Sequence, residues 1–457
     1  MLFNSYTFLF IFLPLVMAVY WFAPPARKNL ALTLASYVFY GYWNLSLCSL
    51  LLASTAVNYW LGSRIHATVS AIGRRQYLTM IILFNLGLLG FFKYADFFIA
   101  SFQSLFPDLP LTPWNLILPV GISFFTFQGM SYGFDIYRRR TVPAANLVDF
   151  ACYIAMFPQL IAGPIVRFNL VAEQLVRRTH TAAKAAYGIR RFIIGLARKV
   201  LIADTMAVLA DRHLLNGPEG CLSTWIGMVA FSLQIYFDFS GYSDMAIGLG
   251  HLFGFDLPEN FDHPYQARGL YDFWKRWHMT LSGWLKDYLY IPLGGSRVPP
   301  VRWIFNILLT FLLCGLWHGA NWTFVAWGGY HGLLLILERP FRRQIEQTPA
   351  WLTIPLTNLL VIIGWALFKA PTFSQAMVWL KVMFPFQTVV SVPSTLPPTF
   401  LLASLITLQA GCWIIRFKPG TLQTAHPMLD TLLLLAGLAS FVALMGVDVS
   451  PFLYYQF

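Results

Sequence analysis

Two histidines occupy apolar parts of the chain, where an ionisable side chain is costly. His318 lies in the sequence Gly-Leu-Trp-His-Gly-Ala-Asn-Trp and interrupts an apolar run over residues 303–337, and His278 ends the sequence Phe-Trp-Lys-Arg-Trp-His. An ionisable group at membrane depth costs on the order of 2.5–3.5 kcal/mol even on lenient insertion scales, so such groups are functional candidates. Because an imidazole has an unperturbed pKa of about 6.5, it can take a proton from a hydroxyl group at neutral pH. These residues therefore predict a buried proton-transfer site.

His318 is the stronger candidate, because its neighbours suit a closely packed site. Gly315 and Gly319 form a GxxxG step, which lets another backbone approach closely. Asn321 follows three residues later, near the same helical face, and is expected to hydrogen-bond the imidazole or a substrate carbonyl. The alternative is a core histidine that a neighbouring carbonyl satisfies. That structural interpretation is favoured for His331, which has no amide or carboxylate nearby in the sequence.

Metal binding is another use of these imidazoles. His263, His278 and His318 could converge, with Asp262 as a carboxylate ligand. The sequence disfavours this, because no HxxxH or HExxH spacing puts two ligands on one helix face and no cysteine forms a ligand pair with these histidines. For His278 three roles stay open: a second catalytic group, a hydrogen-bonding positioner, or an interfacial residue that contacts headgroups.

Two carboxylates stand inside a further apolar run, Phe237-Asp-Phe-Ser-Gly-Tyr-Ser-Asp244. Asp238 and Asp244 are six residues apart and so do not share one helix face. Ser240 and Gly241 permit a kink, and each Asp is expected to cap a helix break or to form an ion pair. The expected cationic partners are Arg268, Lys275 and Arg276. A role in holding the fold is at least as well supported as a catalytic role.

The composition places these sites in a membrane. The chain has 457 residues, of which 58% are hydrophobic and 11% charged, whereas soluble domains carry about 25% charged residues. The apolar runs are continuous and lack the period-two alternation of a barrel, so we predict an all-α polytopic membrane protein. The net charge of +12 comes from Lys and Arg in short loops, as expected for cytoplasmic loops rather than nucleic-acid binding. The five cysteines are expected to act as small core residues.

The basic loops also predict a topology that begins outside, because Arg27 and Lys28 follow the first apolar run and no positive residue precedes it. The predicted spans are residues 6–23, 30–43, 46–62, 77–92, 115–137, 192–210, 222–250, 351–369, 399–415 and 430–447, with two short helices in 303–337. Lys369 lies on the wrong side of this scheme. We predict one membrane domain, residues 1–457, with roughly 11 spans and a catalytic core at about 115–340.

Two segments break the regular pattern. Residues 148–166 contain Pro158, Gly163 and Pro164 between two basic regions, which predicts a re-entrant segment beside a cavity open to the cytoplasm. Residues 256–302 carry too many charges to cross. Within them, apolar residues at helical spacing predict one amphipathic helix at the cytoplasmic interface, with His278 and Trp274 on the same face.

The C-terminal sequence Pro451-Phe-Leu-Tyr-Tyr-Gln-Phe457 is aromatic where a terminus is usually polar. It predicts either an interfacial anchor or a segment that enters the outer mouth of a funnel and presents the Tyr454 hydroxyl to the site.

An ordered series of motifs resembles the membrane-bound O-acyltransferase (MBOAT) family, in the branch that acetylates bacterial polysaccharides such as alginate. The motifs are Leu118–Phe124, Phe157–Pro164, Tyr236–Gly248, Phe273–His278, Trp284–Tyr290 and Trp317–Trp322. The resemblance implies a ring of helices around a funnel, with His318 as the essential catalytic residue and His278 at a second motif position. Supporting residues within these motifs are Trp274, Trp317 and Ser240. Asp262 and His263 depart from the Asn-Phe-Asn-Gln-Pro-Tyr expected there, which leaves the role of His263 open.

The resemblance further implies acetyl transfer from a cytoplasmic thioester, acetyl-CoA or an acyl carrier protein, toward an exopolysaccharide outside a bacterial inner membrane. It implies no permanently bound cofactor, and a periplasmic acetyltransferase as partner. Alginate is the favoured polymer and cellulose the next. In related export systems a tyrosine like Tyr454 is suspected of carrying the acyl group. Two other functions stay open from the residues: a transporter or flippase, and a scaffold for an export complex.

Overall fold

The computed structural model describes residues 1–108, 110–215, 220–384, 422, 427–445 and 451–453, and within these ranges the regular structure is helical without any strand. The prediction of an all-α protein is therefore confirmed for the described residues. The chain divides into two units, one formed by residues 1–193 and 242–258 and the other by 194–241 and 259–453. Each is built around its own buried aromatic side chains.

The first unit begins with a π-helix that continues as an α-helix, which matches the predicted first span. Its helices are Thr7–Phe12, Leu13–Phe22, Lys28–Gly41, Ser46–Ala67, Ala71–Leu89, Gly90–Tyr94, Ala95–Leu105, Ile122–Tyr137, Leu147–Ala155, Phe157–Leu160 and Phe168–Val176. Phe3, Phe8, Phe39 and Phe157 form a cluster of buried rings in this unit. The predicted helices at 30–43 and 46–62 are confirmed, while Phe168–Val176 was not predicted.

The segment predicted to be re-entrant consists of two short helices, Leu147–Ala155 and Phe157–Leu160, followed by a bend and extended backbone. Residues 150–166 are all buried. Gly163 has a φ of +100°, a conformation that glycine adopts without steric cost. An ideal Cβ there would lie 3.3 Å from the ring of Tyr242. The broken backbone is therefore buried in protein, as the Pro and Gly residues predicted.

The second unit contains the long helix Cys221–Leu252 up to residue 241, and a set of shorter helices. These are Arg198–Ala203, Asp204–Leu214, Leu270–Arg276, Met279–Leu285, Lys286–Tyr290, Pro300–His318, Trp322–Glu338, Arg342–Gln347, Ala350–Lys369, Phe373–Met383 and Pro427–Met445. The helix Ala182–Ala197, like Cys221–Leu252, has residues in both units. The predicted spans at 351–369 and 430–447 are confirmed as helices, whereas 399–415 lies outside the described residues.

One alternative about helix continuity is excluded, and one prediction is wrong. Cys221–Leu252 is one helix of 32 residues, so Asp238 and Asp244 do not cap a helix break. The amphipathic segment, in contrast, is not one helix, because Trp277 and His278 separate Leu270–Arg276 from Met279–Leu285. His278 is therefore not on a common helical face with Trp274.

Four helices in the described residues are long and apolar enough to cross a bilayer: Ala71–Leu105, Pro300–His318, Ala350–Lys369 and Pro427–Met445. The helix Thr7–Phe22 is apolar but shorter. Lys369, whose position conflicted with the charge rule, forms an ion pair of 2.8 Å with Asp211, a residue predicted to lie at the outer side.

Candidate active site

His318 is the last residue of the helix Pro300–His318, which packs against Trp322–Glu338; we call this pair of helices the histidine hairpin. The two backbones nearly touch, since a Cβ added at Gly315 would lie 2.1 Å from the Phe324 carbonyl oxygen, and one at Gly328 would lie 2.1 Å from the Phe311 carbonyl oxygen. The close approach predicted from Gly315 is therefore confirmed. The pairing of 315 with 324 and of 311 with 328 shows that the helices are antiparallel.

Asn321 does not share a helix with His318, which corrects the sequence prediction. The helix ends at His318 because Gly319 is fully extended, with φ −167° and ψ 151°. Asn321 is the N-cap of the next helix: its Oδ1 accepts from the Thr323 amide at 3.0 Å, and its Nδ2 donates to the Pro371 carbonyl at 2.9 Å. Asn321 thus holds the turn that follows His318.

His278 occupies a strained position between two short helices. Its φ is +41° and its ψ 56°, a left-handed conformation that is uncommon for non-glycine residues and typical of functional sites. Two backbone hydrogen bonds support it, from Ser282 N–H to the His278 carbonyl at 3.0 Å and from Met279 N–H to the Asn260 carbonyl at 2.9 Å. Asn260 Oδ1 also accepts from the Thr280 hydroxyl at 2.8 Å. The loop around Asn260 therefore holds the backbone that follows His278.

The structure brings His278 and His318 together. Their ring centroids are 6.3 Å apart, and Trp317 contacts both rings, at 5.7 Å from His278 and 5.0 Å from His318. The two residues are buried, with 1% and 3% of their surfaces exposed. Burial lowers the pKa of His278 well below its ordinary value, and the nearby His318 lowers it further. His278 is therefore a neutral imidazole, which can still donate one hydrogen bond.

Apolar rings surround the pair. The His318 ring meets Trp327 at 5.1 Å and Phe368 at 5.4 Å, and the His278 ring meets Phe239 at 4.7 Å. Electrostatic interactions are stronger in such surroundings than in water. A hydrogen bond at these imidazoles is thus stronger than one at an exposed site.

Trp274 lies in a neighbouring cluster rather than against the two histidines. Its ring contacts Trp327 at 5.5 Å and His331 at 5.1 Å. In the described part of the chain, Nε1 of Trp274, Nε1 of Trp327 and both ring nitrogens of His331 have no hydrogen-bond partner. Buried polar groups are normally satisfied by protein or water, so this cluster offers polar contacts beside His318. Sequence reasoning gave His331 only a structural role and did not predict its place there.

Asp238 and Asp244 are both buried in ion pairs, but not with the predicted cations. Lys199 binds Asp238 at 2.7 Å, and Arg191 binds Asp244 at 2.7 Å. These cations come from the preceding helices, where a charge inside an apolar run is itself a sign of a buried carboxylate partner.

Arg276, a predicted partner, instead binds Asp272 at 2.8 Å and Asp262 at 3.7 Å, with 31% of its side chain exposed. Arg276 therefore forms partly exposed ion pairs that include neither Asp238 nor Asp244. Ser240 is 2% exposed, and its hydroxyl has no partner among the described residues. No three His, Cys, Asp or Glu side chains of the described residues are grouped as metal ligands. Tyr454 lies outside the described residues, although the three residues before it are described.

Comparison with known proteins shows which family and which relatives this chain resembles. The model of the membrane-bound O-acyltransferase family, MBOAT, matches residues 138–370, a range that contains both histidines. The probable alginate O-acetylase AlgI of Azotobacter vinelandii is 40% identical over the whole of both chains. The AlgI of Pseudomonas aeruginosa is 44% identical over 85% of this chain and 76% of its own length. The peptidoglycan O-acetyltransferase of Helicobacter pylori is 37% identical over 84% of this chain and 80% of its own.

Proposed function

The chain belongs to the membrane-bound O-acyltransferase family, and we propose that it moves an acetyl group from a cytoplasmic thioester across the inner membrane for O-acetylation of an exopolysaccharide. The observation that supports this best is the buried pair His278 and His318, which face the same indole ring of Trp317. The protein is an O-acyltransferase; the donor, the acceptor and the residue roles below are the proposal.

His318 acts as the general base. Its Nε2 takes the proton of an attacking hydroxyl, whose oxygen bonds to the thioester carbonyl carbon. The resulting oxyanion then expels the thiolate as the C–S bond breaks, and the imidazolium returns its proton to the sulfur. General-base catalysis of this kind contributes about 10²–10⁴-fold to the rate.

His278 stabilises the oxyanion or orients the thioester. Because burial keeps its imidazole neutral, one ring N–H is available to donate toward the carbonyl oxygen. The separation of 6.3 Å between the two ring centroids leaves the reacting carbonyl carbon within reach of both. Trp317 provides a common wall, and Asn321 supports the active-site turn through its hydrogen bonds to Thr323 and Pro371.

The donor is acetyl-CoA or an acetylated carrier protein, which approaches from the cytoplasm along a wetted path to His318. Basic loops such as Arg138–Arg140 would attract its phosphates. The acceptor chain is alginate by the names of the relatives, with cellulose and peptidoglycan as the alternatives. Tyr454 receives the acetyl group first, and a periplasmic acetyltransferase completes the transfer to the polymer. Both termini lie on the periplasmic side.

Replacement of the two buried histidines of the histidine hairpin tests the proposal. We expect His318→Ala to abolish polymer acetylation in cells while the amount of protein in the membrane stays at the wild-type level. His331→Ala is the matched control, because it removes another fully buried imidazole from the same hairpin. Retained acetylation in His318→Ala would refute the assignment.

The relay through Tyr454 has its own test. With the donor supplied and the acceptor withheld, mass spectrometry of the C-terminal peptide should find one added acetyl group on wild type and none on Tyr454→Phe. An unmodified wild-type peptide, together with full activity of Tyr454→Phe, would refute the relay but not the enzyme. Thioester consumption by the purified protein separates the enzyme from a transporter, which would consume none.

A further inference from the structure

The last described residues of the chain, Pro451–Leu453, contact a buried ion pair; we call these three residues the tail segment. Asp238 Oδ2 accepts the backbone N–H of Leu453 at 2.9 Å, and Lys199 Nζ donates to the Pro451 carbonyl at 3.3 Å. The Lys199 ammonium also lies over the Phe452 ring, 4.7 Å from its centroid. Three successive residues of the tail segment are thus each held by the same two side chains.

The ion pair between Lys199 and Asp238 leaves one carboxylate oxygen of Asp238 available for a further hydrogen bond. Lys199 contacts Asp238 Oδ1 and Asp204 Oδ1, both at 2.7 Å, and its side chain is 2% exposed. Asp238 therefore uses one carboxylate oxygen for the lysine and leaves the other for the Leu453 amide. A buried carboxylate is stable only when its oxygens are hydrogen-bonded, so the tail segment completes the shell of this charge.

The contacts recognise the tail backbone and its aromatic side chain together. Phe452 and Leu453 are buried, with 1% and 6% of their surfaces exposed. Residues near a chain terminus are usually poorly ordered unless contacts hold them. The amide and carbonyl contacts fix the position of the backbone, and the cation–π contact selects an aromatic ring at residue 452. The residue that follows in the chain is Tyr454.

We propose that Asp238 and Lys199 form a clamp for the C-terminus, and that they are positioning residues for the acyl-carrying tail rather than members of the catalytic group. The clamp holds Pro451–Leu453, the three residues that precede Tyr454 in the sequence. Its contribution to acetyl transfer, though not its existence, rests on the proposed role of Tyr454. The first aspartate of the Phe-Asp-Phe-Ser-Gly-Tyr-Ser-Asp motif, Asp238, thus binds the tail segment.

Hydrogen exchange at the Leu453 amide tests the clamp directly. In purified full-length wild type without donor, this amide should exchange about tenfold to a hundredfold more slowly than a free peptide amide, the protection expected for a hydrogen bond to a charged acceptor. Exchange at the free-peptide rate would overturn the proposal without the need for any variant.

Two variants then identify the partners. Asp238→Leu/Lys199→Met removes both charges of the fully buried pair together and should abolish the Leu453 protection. Asp204 then loses its contact with Lys199, but its side chain is 26% exposed and so remains partly solvated. The matched control is Asp211→Leu/Lys369→Met, which removes another ion pair whose lysine lies over a phenylalanine ring, Phe231, and should leave the protection unchanged. Unchanged protection in the clamp variant would overturn the proposal.

A change in the tail itself covers the case in which the clamp variant does not fold. Phe452→Ala removes only the ring over Lys199 and should speed exchange at Leu453 several-fold, whereas Phe452→Tyr should retain the protection. Equal exchange in wild type and Phe452→Ala would contradict the cation–π part of the clamp.

The acetyl readout keeps this proposal distinct from the proposed function. If the relay operates, the clamp variant should accumulate less acetyl on Tyr454 than wild type, whereas the Asp211→Leu/Lys369→Met control should accumulate as much as wild type. If wild type carries no acetyl on Tyr454 while Leu453 is protected, the relay is wrong and the clamp stands. If the tyrosine is acetylated while Leu453 exchanges freely, the reverse holds.

Discussion

The close backbone approach within the histidine hairpin predicts opposite effects for two adjacent glycines. Gly328 and Gly329 are neighbours in the helix Trp322–Glu338, but of the two only Gly328 lies against the backbone of the partner helix. A Cβ at Gly328 would lie 2.1 Å from the Phe311 carbonyl oxygen, whereas one at Gly329 would lie 3.5 Å from a Leu312 methyl group, an ordinary contact. The same substitution therefore meets a rigid backbone at Gly328 and only an ordinary side-chain contact at Gly329.

The magnitude follows from these distances. Ordinary contacts begin at 3.4 Å, so Gly328→Ala must separate the helices by about 1.3 Å. Overpacking of this kind costs about 1–3 kcal/mol, which exceeds the gain of about 1 kcal/mol that alanine brings to a helix interior. Gly329→Ala keeps that gain without the clash. The shift also moves His318, and a misplacement of about 1 Å can cost 10²-fold in rate.

The assay is thermal unfolding of the purified variants combined with their acetylation rate. We expect Gly328→Ala, and Gly315→Ala on the partner helix, to lower the melting temperature by several degrees and the rate by about 10²-fold. Gly329→Ala should match wild-type activity with an equal or higher melting temperature. Wild-type stability and activity in both Gly315→Ala and Gly328→Ala would refute the close packing of the hairpin.

Three further predictions concern the residues that hold the site. Because burial lowers the pKa of His278, the native ring stays neutral while the unfolded chain binds a proton below about pH 6.5. This residue should therefore lower the free energy of unfolding as the pH falls, by up to about 1.4 kcal/mol per pH unit. Between about pH 7.5 and 5.5, the melting temperature of His278→Gln should fall less than that of wild type. An equal fall in both proteins would contradict the burial of His278. Asn321→Ala should destabilise the following helix by about 1 kcal/mol, while Asn321→Ser, which retains a cap, should lose less; calorimetry that finds no difference would contradict the capping role. Glu338 accepts hydrogen bonds from the Leu270 and Tyr271 amides, the latter at 2.9 Å. Glu338→Ala should therefore lower the free energy of unfolding by about 1–3 kcal/mol and reduce activity. Glu338→Gln keeps one acceptor and should lose less stability and activity, as measured by thermal unfolding and acetylation rate.

The sequence predicted the helices whose signal is local. The apolar run at 351–369 could be located because the length of an apolar run depends on nearby residues alone. The all-α fold of the described residues and the membership of the O-acyltransferase family are likewise confirmed. The number of spans and the ring of helices remain predictions, since only four helices in the described residues meet the length and polarity of a span.

What the sequence missed depends on contacts between distant residues. Periodicity predicted one helix through Trp274 and Leu285. Instead His278 has a left-handed conformation, and the next two residues, Met279 and Thr280, donate hydrogen bonds to Asn260, which lies 18 residues before His278. Asp238 was expected to pair with a later cation, whereas Lys199 binds it from an earlier helix. Asn321 was placed on the face of His318 because no local signal showed that Gly319 would be extended. The pairing of His278 with His318 was expected from family resemblance rather than from spacing.

A single-turnover measurement of thiol release tests the catalytic account most directly. Purified wild type, His318→Gln and His331→Gln would each be mixed with acetyl-CoA, and the free thiol followed with time. His318→Gln should be about 10²–10⁴-fold slower than wild type, while His331→Gln stays within a few-fold of it. Equal rates for wild type and His318→Gln would contradict the central claim that this imidazole removes the proton from the attacking hydroxyl.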